Sequence, residues 1–203
     1  MNRVITMKLL PEGNAREGFL ARDRYKHLLD ALPEELKLLL VYAYHLGCRR
    51  GELLALKRFD VDSKALSVRF SGRTTKNQEA KVAPIYGDMI AWTDMALTEL
   101  EKYPSCPWLF HRCGKRIKNF RKAWNVACAL AGVPDLLFHD LRRSAVKNME
   151  DAGIPRKTAM QITGHKTDYR RYHIVSDRDI RDAGVKLARF LGERETGKRM
   201  RVQ

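Results

Sequence analysis

The chain predicts a mainly α-helical fold carrying one small antiparallel β-sheet, an α+β domain. Three observations lead there. Apolar residues recur at helical spacing in most of the segments between glycines. One stretch, "KALSVRFSGRTTKNQEAKVAPI", changes to strand-like alternation. A length of 203 residues with 44% hydrophobic content matches one good core.

In chain order, residues 1–18 hold Pro11 and Gly13 without an apolar period and read as an extended arm. "ARDRYKHLLDALP" is a short helix with Tyr25, Leu28, Leu29 and Leu32 on one side. Pro33 suits the first helical position of "PEELKLLLVYAYHLG". Glu34 and Glu35 complement the positive end of that helix, and Gly47 stops it. "CRRGELLALKRFDVD" restarts a helix whose Leu53, Leu54 and Leu56 face the core. Leu66, Val68 and Phe70 then alternate as a strand, Val82 and Ile85 mark its partner, and Gly72 to Gln78 connect them.

The remainder reads as helices: "DMIAWTDMALTELEKY", "KNFRKAWNVACALAG", "HDLRRSAVKNMEDAG", "IPRKTAMQITG" and "SDRDIRDAGVKLARFLGERE". The last opens on a cap pattern, Ser176 with Asp179. Its Ile180, Ala183, Leu187 and Leu191 form a narrow apolar stripe that suits either its own domain or a neighbouring copy. One domain is expected over residues 19–192, followed by a basic tail, 193–203.

Lysine and arginine number 39 against 24 acidic residues, a formal charge of +15. Such an excess repels itself unless a polyanion neutralises it, and nucleic acid is the natural one. No apolar run reaches membrane-span length, and "MNRVITMKLLPEG" lacks a signal-peptide core. The expectation is a cytoplasmic, nucleoid-associated protein with reduced thiols. Cys106, His111 and Cys113 match no zinc-finger or ribbon spacing, and carboxylates do not cluster, so neither metal nor cofactor is expected.

Several residues could do chemistry. His139 and Arg142 stand three apart on one helix, away from the Leu141, Ala145 and Met149 stripe, and are expected to point outward. An imidazole beside a guanidinium suits a phosphate site, although the pair equally suits a solvated face. Arg49 follows Gly47 closely, with Glu52 placed to orient it and Arg50 as a spare cation. Alone, this too could be an ordinary surface pair. Lys76 in "GRTTKNQ" can reach into a groove, with Arg73 and Lys81 as substitutes, and "GHKTDYRRYHIVS" holds the phenols Tyr169 and Tyr172.

In this order the segments resemble those of the tyrosine recombinases, or lambda-type integrases. "GCRRGELLALKRFDVD" resembles their first-arginine box and "TTKN" the hairpin of their lysine. "HDLRRSA" resembles the His-x-x-Arg box, "TGHKT" the second-histidine box and "RRYHIVS" the segment of the nucleophile. The resemblance runs from about Leu20 to Leu191. It implies the tyrosine recombinase catalytic-domain fold and a catalytic set of Arg49, Lys76, His139, Arg142, His165 and Tyr172, with Glu52 orienting. It also implies cleavage and resealing of double-stranded DNA through a 3′-phosphotyrosyl intermediate, without metal or ATP. A tetramer built through the C-terminal helix would be the working assembly, with a monomer when free. The DNA-clamping domain that usually precedes such a catalytic domain is not read in this chain.

The chain departs from the family pattern at one place. His165 and Tyr172 are seven residues apart. That is two fewer than usual, shortening an extended connection by about 6–7 Å or a helical one by about 3 Å. Tyr169 therefore stands as the alternative nucleophile. Two readings follow: a recombinase, or a DNA-binding relative with impaired or lost cleavage.

Overall fold

A computed structural model describes residues 19–72, 80–164 and 177–192, the last stretch with side chains from Ile180 onward. The expected arm, Ser176 and the Asp179 side chain of the expected cap, the basic tail and residues 73–78 of the polar connection lie outside the described residues.

The domain is organised around α2 (Glu34–Leu46), whose residues Leu38 to Leu46 are all buried. A helix apolar on every side belongs in the interior. Pro33 stands one residue before it, as N-cap with ψ 145°, rather than as its first helical residue. α1 (Arg22–Ala31) lies against it, with Tyr25 stacked on Tyr44 at 4.0 Å between ring centroids. α4 (Asp88–Glu101) and α6 (Asp140–Asp151) flank it. α5 (Arg121–Leu130) packs on α1, and α7 (Arg156–Thr163) on α6.

A three-stranded antiparallel sheet, β1 (Val61–Asp62), β2 (Ser67–Phe70) and β3 (Lys81–Pro84), has the strand order β1-β2-β3. Ser67 pairs with Pro84 and Phe70 with Lys81. Val68 and Phe70 are fully buried, as their alternation predicts. Leu66 is not part of the strand: its φ is 49°, in a turn where Asp62 Oδ1 accepts from the backbone of Lys64 and Ala65. On β3 the inward positions are Lys81 and Ala83, while Val82 is only half-buried.

The helix expected through "CRRGELLALKRFDVD" is much shorter. α3 covers Arg50–Leu54, a 3₁₀ turn covers Arg58–Asp60, and β1 follows. The cause is tertiary. Arg58 N–H donates to Pro107 O at 2.8 Å, and Leu109 N–H to Leu56 O at 3.0 Å, clamping the segment to a distant strand-like stretch. A second hairpin, β4 (His111–Arg112) with β5 (Lys115–Arg116), turns at Cys113 and Gly114, both at positive φ. His111 Nδ1 accepts from Gly114 N–H at 3.2 Å, so one nitrogen of this imidazole holds the turn.

α8 (Asp177–Phe190) lies on α7 and β3 of its own chain. Ile180, Ala183 and Leu187 of its stripe are buried there, as is Leu191 just beyond the helix. At Gly184 a Cβ would sit 3.1 Å from Pro84, a close approach that glycine permits. The stripe thus packs in cis. Among the described residues no helix is long and apolar enough to cross a membrane.

Candidate active site

Gly47 ends α2 in the left-handed conformation, and the turn of Gly47 and Cys48 delivers Arg49 to the start of α3. Glu52, 2% exposed, accepts from the Arg49 guanidinium at 2.8 Å and from the Arg49 backbone N–H at 3.3 Å. Glu52 thus contacts Arg49 through both side chain and backbone. Arg50 turns elsewhere: it lies 5.0 Å from the centroid of the Phe120 ring and donates to Lys118 O at 2.8 Å.

Arg142 departs from expectation. Instead of pointing outward it is 5% exposed, and its Nη1 donates to Gly47 O and to Thr163 O, each at 2.6 Å. These carbonyls close α2 and α7, where the last turn of a helix leaves acceptors unmatched and a partial negative charge accumulates. Two helix ends aimed at one guanidinium explain why it enters the protein. Burial lowers the Arg142 pKa, and the neighbouring Arg49 charge lowers it further. The two cations are therefore close enough to feel each other. An anion between them would relieve that repulsion.

His139 is exposed at the N-cap of α6, one helical turn before Arg142. Both line a cleft of about 400 Å³ with Arg143, Lys147 and Arg156. Lys76, His165, Tyr169 and Tyr172 lie outside the described residues. The described parts of the chain next to them are β3, five residues beyond Lys76, and Gly164, the left-handed C-cap of α7 just before His165.

Lys81, in the sequence only a possible substitute for Lys76, has a more central place in the fold. It is 6% exposed, with its ammonium 2.9 Å from Glu52, 3.1 Å from Thr163 O and 4.7 Å from the Phe70 ring centroid. A general acid must reach a leaving group, and this ammonium is enclosed. Its signal was a charge at an inward position of β3, directly opposite Phe70. Burial pushes the Glu52 carboxyl up, but Lys81 and Arg49 together outweigh it and hold the group below its usual range. The Cys48 thiol, 3.5 Å from the Lys81 ammonium, is pushed up by burial, only partly offset by that charge.

Arg142 and His139 line the basic cleft, and Arg49 is held two residues beyond the Gly47 carbonyl that supports Arg142. Guanidiniums and an imidazole grouped in this way have the chemistry to bind a phosphate and to stabilise charge that builds on its oxygens.

Comparison with known proteins bears on family and fold. The sequence pattern of the phage integrase family matches residues 18–172. The tyrosine recombinase XerC of Mycobacterium leprae (strain TN) is 28% identical over 136 residues, 64% of this chain and 46% of that protein. The chain thus spans about half the length of this relative. The crystal structure of XerA recombinase superposes with a TM-score of 0.65 at 18% identity, over 84% of this chain and 65% of that one. A lambda integrase tetramer bound to a Holliday junction superposes at 0.58 and 18% identity, over 81% and 51%. These structures share the fold. With three-quarters of its length matched by the family pattern and its two arginines assembled at one site, the chain belongs to the phage integrase family.

Proposed function

We propose that this chain is the catalytic domain of a site-specific DNA recombinase, breaking and rejoining double-stranded DNA through a 3′-phosphotyrosyl intermediate. The observation that carries this reading is the paired placement of Arg49 and Arg142 about the Gly47–Cys48 turn, one held by Glu52 and the other by two helix ends.

In this mechanism both guanidiniums clamp the non-bridging oxygens of the scissile phosphate, supplying positive charge that Mg²⁺ provides in many phosphoryl-transfer enzymes. Tyr172 Oη attacks phosphorus, the Oη–P bond forms and the P–O5′ bond breaks. The phenolic proton passes to His139, and Lys76 protonates the departing 5′ oxygen. His165 donates a further hydrogen bond to the phosphate. Because the phosphotyrosyl bond retains the energy of the cleaved linkage, a second 5′ hydroxyl reseals it without ATP.

The assembly proposed is several copies on DNA, in the manner of the lambda integrase tetramer on its junction. In this chain the α8 stripe is occupied in cis, so contact between copies would use other surfaces or require α8 to leave. The seven-residue spacing from His165 to Tyr172 keeps the second reading in view: a relative that grips DNA without cutting it.

A nicked duplex that traps the adduct separates the two. The recombinase reading expects a denaturant-stable protein–DNA complex that Tyr172→Phe abolishes and Tyr169→Phe retains. The opposite pattern makes Tyr169 the nucleophile. Binding with no adduct on any DNA supports the second reading.

A further inference from the structure

We propose that Lys81 is a positioning residue for strand cleavage: from inside the domain it holds Glu52, and through Glu52 the Arg49 guanidinium, while tying the end of α7 to β3. This rests on the phosphotyrosyl reading above.

The geometry is specific. Glu52 divides its two oxygens, Oε1 toward Arg49 at 2.8 Å and Oε2 toward Lys81 at 2.9 Å. Without the ammonium, Oε2 would face a buried site with the Arg49 backbone N–H at 3.3 Å as its remaining donor. The carboxylate would then be free to rotate, and the guanidinium with it. The second contact is to Thr163 O, the same oxygen that receives Arg142 at 2.6 Å. One ammonium thereby touches the supports of both arginines.

Its location adds a further reason. Lys81 pairs with Phe70 at the last described rung of β2 and β3, where the chain leaves for the segment bearing Lys76. Its side chain also lies against Gly164, where a Cβ would meet Lys81 atoms at 3.2 Å and where the chain leaves for His165 and the tyrosines. Lys81 therefore sits where the described chain leaves for both segments that carry Lys76, His165 and the tyrosines.

A merely architectural role is the competing explanation. Buried ion pairs add little net stability compared with apolar packing, whereas breaking one leaves an uncompensated charge. Orientation is the property that such a pair controls.

Lys81→Met tests this in the full chain, by measuring single-turnover adduct formation on a nicked duplex alongside DNA affinity and the thermal melt. The expected result is a rate lower by about 10–100-fold with affinity essentially unchanged, because small misplacements of a clamp cost that much. The acid limb of the rate should also move to higher pH. Glu52 is faced by Arg49 at the start of α3, Lys81 on β3, the Cys48 thiol and Arg142 on α6. Loss of the ammonium makes protonation of that carboxylate easier. Adding Glu52→Gln to Lys81→Met should abolish the shifted limb, since no carboxylate remains to titrate.

An unchanged rate and pH profile in Lys81→Met would overturn the proposal, as would a rate loss matched by lost DNA affinity. If Lys81→Met no longer melts cooperatively, Glu52→Gln alone decides. A slowed adduct with retained affinity supports the positioning role, and a wild-type rate overturns it. Failure of the unmodified chain to form any adduct strikes the phosphotyrosyl reading itself, and is thereby distinguishable.

Discussion

The Arg142 guanidinium donates to the carbonyl of Thr163, 2.6 Å away at the last residue of α7. A peptide oxygen at a helix end attracts the cation without cancelling its charge. The guanidinium is thereby held in place by neutral oxygens, an arrangement that suits an anion-stabilising group. Arg49 is treated differently: it carries a true counter-ion in Glu52, itself shared with Lys81. Sharing leaves the trio with a net positive charge beside the site.

Gly47 is the joint of this arrangement. It holds φ 62°, and an added Cβ would lie 3.0 Å from Ala145 Cβ and 3.1 Å from Thr163 Cγ2. Gly47→Ala should therefore cost about 1–3 kcal/mol from left-handed strain and crowding. Urea denaturation will measure it. Because Gly47 O also supports Arg142, adduct formation should fall more than stability alone explains.

The cleft beside His139 should read DNA through phosphates. Arg143 and Arg156 line it, both exposed. Replacing either with Gln should weaken binding to unrelated duplexes about equally and reduce the slope of log affinity against log salt by about 1. Titrations at several salt concentrations check this. A loss confined to one sequence would point to base contacts instead.

Acid should destabilise the fold through His45. Its imidazole is 1% exposed among Tyr25, Tyr44 and Tyr86. Burial, helped by the Arg22 charge, holds its pKa down to about 3, against 6.5 for a free imidazole. Between those values the unfolded chain takes up a proton that the folded chain refuses. The stabilising contribution is therefore complete above about pH 6.5 and is lost progressively as pH falls toward 3. Unfolding free energy should drop by up to about 1.4 kcal/mol per pH unit in that window from this residue. His45→Phe should flatten the slope in chemical denaturation at pH 4, 5 and 6.

What the sequence made legible follows from the range of the forces involved. α2, α4 and α6 were visible because their apolar spacing is local, and Gly47 and Gly164 because left-handed caps have a residue signature. The Arg49–Glu52 pair was readable for the same reason, three residues apart on one turn. β1 and the β4–β5 hairpin were not, since two-residue strands cannot show alternation and the strand residues of "HRCGKR" are all polar. Arg142 was expected to face outward because its own helix gives it a polar face. The carbonyls that draw it in come from Gly47 and Thr163, 95 and 21 residues away in sequence. The enclosure of Lys81 was hidden likewise, its carboxylate partner being 29 residues distant.

The most direct measurement is the rate at which Arg49→Ala forms the covalent adduct on a nicked duplex in EDTA, against the unmodified chain. Arg49 is partly exposed, so its removal should leave the fold intact. The unmodified chain should form the adduct readily under these metal-free conditions. The variant should form it about 10²–10³-fold more slowly, with DNA binding weakened far less. An adduct that forms equally fast without Arg49, or one that the unmodified chain forms only when a divalent ion is restored, would contradict it.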